Sequence, residues 1–275
     1  MNGYSTNGSV KVQSLSGSCL PNDTDYDDDA ESYFTRAGIT DILEKNTVNT
    51  FVLGLKSNSL WARCLTLYPH SPTSVGAMVH NLKSSSFTKT STAFPTYAQT
   101  GNTGDGVAQF LDTGVIPATH FTSATSHTIW YYSRTNSTSG IDIGCITSAT
   151  QSLTCRSRTA GNVSDYRAYG NTSNLTGATT DSSGYFFYTT SDSNSRSIRR
   201  NNASVGVDDA TNIPGTRPTH SLYVHARNNA GTLDTPSTRE LCGDGAFDGA
   251  LTNDECDTFY TLISTLNANI ISGGR

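Results

Sequence analysis

The hydrophobic positions of this chain change period along its length. Val48, Phe51, Val52 and Leu55 repeat at i, i+3, i+4 and i+7, the spacing of a helix with one buried face. Asn46 or Thr47 can cap that helix and Asn58 can end it. Ile39, Ile42 and Leu43 form one apolar face just before it. With Trp61 as a core plug, residues 30–64 are expected to be an N-terminal helical segment.

Between 69 and 240 the pattern shortens to strands and turns. Candidate strands are 106–111, 128–133, 141–146, 152–157, 166–169, 184–190, 197–200 and 222–228. Alternation is clearest in Leu222-Tyr223-Val224-His225-Ala226-Arg227, where Leu222, Val224 and Ala226 share one face. Helical period returns at the C-terminus. Thr252 and Glu255 make a capping box, and Phe259, Leu262, Ile263, Leu266 and Ile270 form one stripe, which predicts a helix over 252–271. Many short strands flanked by helices indicate a sandwich and not a parallel α/β sheet.

Residues 1–29 stand apart. They are polar, with a brief alternation at Val10, Val12 and Leu15 and an acidic run from Asp23 to Asp29. A segment so poor in apolar residues does not order alone. It is expected to be an arm that orders against a partner, with Tyr4, Val10, Val12 and Leu15 as the partner-binding side chains. The acidic run is not an EF-hand: Asp28 stands where glycine is needed and Phe34 where the bidentate glutamate belongs. It suits the start of a helix, where negative charge is favourable. Residues 30–275 are expected to form one domain.

Composition supports the β reading. Ser, Thr and Asn together make up 97 of 275 residues, and there are only four Glu, too few for a helical bundle. Net charge is −5, and the 18 basic residues are scattered, so no face suits a phosphate backbone and nucleic acid is not an expected partner. No apolar run is long enough to span a membrane, and the N-terminal stretch lacks the apolar core of a cleaved secretory leader. The six cysteines show no spacing suited to zinc; free buried thiols are expected, with a hairpin disulfide between Cys145 and Cys155 as the alternative. No metal or cofactor is expected.

Candidate chemistry is sparse. A retaining glycosidase needs two carboxylates about 5–5.5 Å apart. Laminarinase-like sandwiches supply them as Glu-x-Asp-x-Glu on one strand, since alternate residues share a face. This chain offers Gly140-Ile141-Asp142-Ile143-Gly144, with glycine at both outer positions. Tyr166-Arg167-Ala168-Tyr169-Gly170-Asn171 is a faint echo of an alginate-lyase strand, but no Gln-x-His precedes it. The six histidines are singletons. Trp130 and Tyr131 are the candidate glycan-binding residues, because an exposed aromatic face can stack on a sugar ring; in a sandwich, alternate members of the run Trp130-Tyr131-Tyr132 are normally core, and two of the three are expected to be buried.

Several segments together resemble a family of bacteriophage virion structural proteins. They are Asp27-Asp28-Asp29-Ala30-Glu31-Ser32-Tyr33-Phe34 with Ala37-Gly38-Ile39-Thr40-Asp41, then residues 53–69 (LGLKSNSLWARCLTLYP), Tyr131-Tyr132-Ser133-Arg134-Thr135-Asn136, residues 222–228 (LYVHARN), Ser237-Thr238-Arg239 and residues 251–266. The resemblance covers most of 27–270 in order and leaves 1–26 outside. It implies a mainly β, antiparallel jelly-roll β-sandwich of the concanavalin-A-like (laminin-G-like) lectin/glucanase type, with an N-terminal helical segment and a C-terminal helix. It also implies location on the virion, without deciding between head and tail. A single compact domain with a long arm suits attachment to a lattice and there is no fibrous shaft repeat, so a capsid decoration or head-fibre component is expected, and the missing paired acids make it non-enzymatic. The expected partners are other virion proteins and the chain itself as a homo-oligomer. The alternatives are a tail-associated adhesin for host surface glycans and a polysaccharide depolymerase on the same fold.

Overall fold

A computed structural model describes residues 25–169, 174–208, 213 and 216–271. The arm residues Tyr4, Val10, Val12 and Leu15 lie outside the described residues. Helix α1 (Asp28–Ala37) opens on Asp27, whose side chain accepts the Asp29 N–H. Asp28, Asp29 and Glu31 fill its first turn, and Gly38 closes it at φ 70°. The acidic run is therefore a helix start, and the expected arm boundary at residue 29 falls inside α1.

Helix α2 (Ile42–Ser57) is capped by Asp41, which accepts the Glu44 N–H, and not by Asn46 or Thr47. This earlier start turns Ile42 and Leu43 outward, 57% and 46% exposed, away from buried Ile39. The helical run ends in a 3-10 turn at Trp61–Arg63, and β1 (Cys64–Tyr68) follows.

The remaining elements are β2 (Thr96–Ala98), β3 (Gly101–Thr103), β4 (Leu111–Asp112), α3 (Pro117–His120), β5 (His127–Ser133), β6 (Ile143–Ser148), β7 (Gln151–Arg156) and β8 (Val163–Ala168). Then come β9 (Leu175–Ala178), β10 (Gly184–Thr190), β11 (Arg196–Arg200), β12 (Ala203–Asp208), β13 (Tyr223–Val224), β14 (Ala226–Asn229), β15 (Thr232–Asp234), β16 (Glu240–Asp248) and α4 (Asn253–Ile271). The strand expected over 106–111 shrinks to β4. The Asp105 carboxylate accepts the N–H groups of Val107, Ala108 and Gln109 and winds that segment into a turn. The strand expected over 222–228 breaks in two at His225, where φ is +65°.

Two sheets pack face to face. One runs β12-β11-β10-β5-β16-β3-β2, with β1 also paired to β16; the other runs β15-β14-β6-β7-β8-β9, with β13 and β4 joined to it. Pairing is antiparallel except between β14 and β6. The chain crosses between sheets at β3–β4, β4–β5, β5–β6, β9–β10, β12–β13 and β15–β16, so the fold is a mainly β jelly-roll sandwich.

A third layer decides what the first sheet can do. Its inner face gives Ile129, Tyr131, Phe186 and Tyr188 to the core between the sheets. Its outer face gives Trp130, Phe187 and Phe247 to a second core, covered by α1, α2 and α4. The sheet is thus buried on both sides, which explains the near-continuous buried run along β5 and β10. At the far margin the sandwich closes between β9 and β12. A Cβ on Gly177 would lie 2.3 Å from the Val205 carbonyl oxygen, so only glycine permits that approach.

Candidate functional site

Asp142, just before β6 in the Gly140–Gly144 segment, belongs to a sealed ion pair. Asp142 and Arg239 are both 0% exposed, with Arg239 Nη1 2.6 Å from Asp142 Oδ1. Asp142 Oδ2 also accepts from Tyr131 Oη at 2.9 Å and from the Ser157 N–H and hydroxyl, each at 2.8 Å. Arg239 donates further to the carbonyls of Ser137, Gly140 and Arg158. Burial pushes the Asp142 carboxyl up, but the guanidinium and the Ser157 hydrogen bonds outweigh it and hold the group below the usual carboxylate range. A carboxylate so satisfied clasps β6, β7 and the chain entering β16. It has no free lone pair and no solvent path to a substrate.

The missing glutamates have a steric reason. A Cβ on Gly140 would sit 2.2 Å from the carbonyl oxygens of both Thr235 and Pro236, so no side chain fits there. A Cβ on Gly144 would meet the Leu153 carbonyl oxygen at 3.1 Å.

The other polar groups of the core form closed networks of the same kind. Tyr131 Oη meets Tyr188 Oη at 2.8 Å, and Tyr188 reaches Ser164. His127 Nε2 meets Tyr166 Oη at 2.7 Å, which meets Thr190 Oγ1 at 2.7 Å. Burial and the Arg217 charge push His127 down to about 3. Lys89 pairs with Asp244 at 2.6 Å beneath β4, both inaccessible. Among the described residues no three His, Cys, Asp or Glu converge as metal ligands. Cys145 lies opposite Leu153 and Cys155 opposite Ile143, and both thiols are free and buried.

The proposed glycan platform is not exposed. Trp130 and Tyr131 are each 0% exposed. Neighbouring strand residues point to opposite faces, and both faces are covered: Trp130 packs edge-on against Phe259 of α4, and Tyr131 stacks on Phe186 and Tyr188 in the sandwich. Only Tyr132, stacked on Tyr185 at 4.1 Å, is partly open.

Two open surfaces among the described residues bear on contact with a partner or ligand. The first is the outer face of α2 and α4. On α2 the exposed residues Leu43, Asn46, Thr50, Leu53 and Ser57 recur every three or four positions and form one stripe. The charges of α2 turn elsewhere: Lys45 lies over the Phe34 ring, Lys56 pairs with Asp27 and Asp29, and Glu44 accepts from Thr73. On α4 no charged residue occurs from 258 to 270, and Thr261, Thr265 and Asn269 face solvent. The helices run antiparallel and touch where a Cβ on Gly54 would lie 2.6 Å from Leu262. Toward the other end they part into a groove of about 200 Å3, floored by Phe51 and Leu266. Solvent-facing helix surfaces normally carry charge. The uncharged run 258–270 is plain in the sequence; its meaning depends on knowing that α2 lies beside it.

The second surface is a groove of about 490 Å3 at the β9–β12 margin, lined by Asn162, Thr179, Thr180, Asp181, Arg200 and Val205. Arg200 there pairs with Asp181.

No protein-family model and no curated protein matches the chain. Solved structures of similar outline exist at low identity. Domain 4 of AbnA, a GH43 extracellular arabinanase from Geobacillus stearothermophilus, aligns with a TM-score of 0.47 and 10% identity over 72% of this chain and 98% of that one. A mutant of Trypanosoma rangeli sialidase displaying trans-sialidase activity aligns at 0.49 and 12% identity, over 82% of this chain and 40% of the sialidase. A chain described as a receptor binding domain aligns at 0.48 and 9% identity, over 75% of this chain and 52% of its own. Likeness at this level does not extend to what those proteins bind or do.

Proposed function

We propose that this chain is a bacteriophage virion structural protein, displayed on the particle as a capsid decoration or head-fibre component, working by contact and not by turnover. The observation that carries the reading is the uncharged outer face of α2 and α4, with Leu43 46% and Leu53 50% exposed. Depletion of charge marks the centre of protein interfaces. Part of that face comes from segments that carry the resemblance to virion proteins: residues 53–69 supply Leu53 and residues 251–266 supply Thr261 and Thr265. The clasped, solvent-free Asp142 supports a scaffolding role for the strand that bears acids in glycosidases. Residues 1–26, outside the resemblance, are the proposed particle anchor.

Immunogold labelling of purified particles with antibody raised against residues 25–271 tests this reading. Label on the particle surface supports it; particles free of the chain overturn it.

A second reading, a tail-associated adhesin for host surface glycans, is favoured by the β9–β12 groove, whose amide, hydroxyl and Arg–Asp lining matches the hydrogen-bonding pattern of a saccharide. A glycan array run with the parent chain and with Arg200→Ala separates the two: retention that Arg200→Ala abolishes favours the adhesin.

A further inference from the structure

We propose that Lys89 Nζ and Asp244 Cγ condense into an amide, an internal cross-link between the segment before β4 and strand β16. The proposal is independent of where the chain is displayed and of the open surfaces described above.

The two groups are held at reacting distance. Nζ lies 2.6 Å from Asp244 Oδ2, and the two side chains are 1% and 4% exposed. The carboxyl carbon is one bond beyond that oxygen, which puts Nζ at about the 3–3.5 Å of a near-attack geometry. Both backbones are fixed. Asp244 sits between two strands, opposite Tyr68 of β1 and Tyr131 of β5. The Lys89 N–H donates to the Val79 carbonyl, and Thr90 exchanges two hydrogen bonds with Asp112 of β4. The Tyr68 ring covers Nζ at 3.7 Å, and its hydroxyl donates to the Phe87 carbonyl.

The other sealed pair shows why this one can react. Asp142 accepts from Arg239, Tyr131 and Ser157 and stays ionised, and a guanidinium does not give up its proton. Among the described residues the Asp244 carboxyl accepts from Lys89 alone. Burial pulls the Lys89 ammonium down and pushes the Asp244 carboxyl up, each against the opposing charge of its partner. Both shifts favour the free amine and the neutral acid, and a desolvated lysine amine is a nucleophile.

The step balances within the pair. One proton passes from the ammonium to the carboxylate. The Nζ lone pair then forms a bond to Cγ, and the carboxyl hydroxyl leaves with a second Nζ proton as one water. Amine and acid become a secondary amide, with no oxidant and no external reagent. A cavity of about 10 Å3 borders Asp244 beside Thr66 and Thr113, room for a single water. The closed surroundings keep bulk water from hydrolysing the product. The bond joins residues 155 apart in sequence, and a cross-link over so long a loop restricts the unfolded chain strongly.

Intact-mass spectrometry of the folded full chain tests this. The expected mass is one water, about 18 Da, below that of the sequence. Trypsin then fails to cut after Lys89 and releases a branched peptide joining residues 84–134 to 240–275. Lys89→Arg keeps the positive charge, cannot form the bond and carries its full sequence mass. A folded parent at full sequence mass, or a water loss that maps to other residues, overturns the proposal and leaves Lys89 and Asp244 an ion pair. The parent's branched peptide decides this whether or not the Lys89→Arg chain folds. Neither result bears on the particle role, which immunogold labelling reads separately.

Discussion

Asp142 and Arg239 lie 97 residues apart in sequence, and their side chains meet at 2.6 Å with no exposure to solvent. The pair is the point where β6, β7 and the strand leading into β16 are tied together. Removing one partner leaves a buried charge unanswered, which costs about 3–5 kcal/mol. Asp142→Ala is therefore expected to lower Tm by roughly 6–15 °C. The double variant Asp142→Leu/Arg239→Met is expected to recover most of that loss, because an apolar pair needs no counter-charge. Differential scanning calorimetry of both variants checks this; equal losses in single and double would show that packing, and not charge, is what the site supplies.

Gly140 lies in the turn that leads into β6. The carbonyls of Thr235 and Pro236 occupy the space a Cβ needs. Gly140→Ala is expected to cost about 1–3 kcal/mol by overpacking, and Gly140→Glu more. Urea titration measures the loss. A Gly140→Ala protein as stable as the parent would mean that β6 can move away from the 235–236 turn.

Stability should fall with acid from about pH 6.5 downward. His127 and His225 are buried and neutral, each pushed down to about 3, His127 by burial and the Arg217 charge, and His225 by burial and Lys89 against the opposing pull of Asp142. In the unfolded chain a histidine titrates near 6.5. Between those values the unfolded state holds the extra proton. Their stabilising effect is complete above pH ~6.5 and is lost as pH falls toward 3, at up to about 1.4 kcal/mol per pH unit for each histidine. Asp142, held low by its partner, adds its own loss only as pH drops below about 4. Denaturant midpoints between pH 7 and 4 test the sign, and His127→Gln/His225→Gln should flatten the slope.

Trp130 is a core residue. Trp130→Ala is expected to cost about 3–5 kcal/mol and to disturb the packing of Phe259 against the sheet. Its fluorescence should stay blue-shifted and unchanged on titration with any saccharide. Quenching by a sugar would require a path to a side chain that is now 0% exposed.

Local pattern made much of the fold legible. The i, i+3, i+4, i+7 repeat from Val48 to Leu55 marks a true helix, the Thr252–Glu255 box a true helix start, and 184–190 a strand with the bounds of β10. Strand β16, at nine residues the longest, was not legible. Its sequence ELCGDGAFD is poor in β-formers because its neighbours crowd it: a Cβ on Gly245 would lie 2.3 Å from the Thr66 carbonyl oxygen of β1 and 2.6 Å from Trp130 Nε1. Tertiary packing dictated those glycines, and propensity cannot see it. That two of Trp130, Tyr131 and Tyr132 are core was expected; that the candidate glycan residues Trp130 and Tyr131 are both among them has a related cause. Alternation assumes one open face, yet HTIWYYS and GYFFYTT are near-continuous apolar runs, the mark of a strand covered on both sides. The α2/α4 face required two segments some 200 residues apart to be placed side by side, and no local pattern joins them.

The most direct test is a cryo-electron microscopy map of the intact particle. The sandwich should appear on the outer surface, with α2 and α4 buried against a neighbouring subunit and the Asn162–Arg200 groove turned to solvent. A particle whose surface lacks this domain, or one in which Leu53 and Thr265 face open solvent in every copy, would contradict the proposed role.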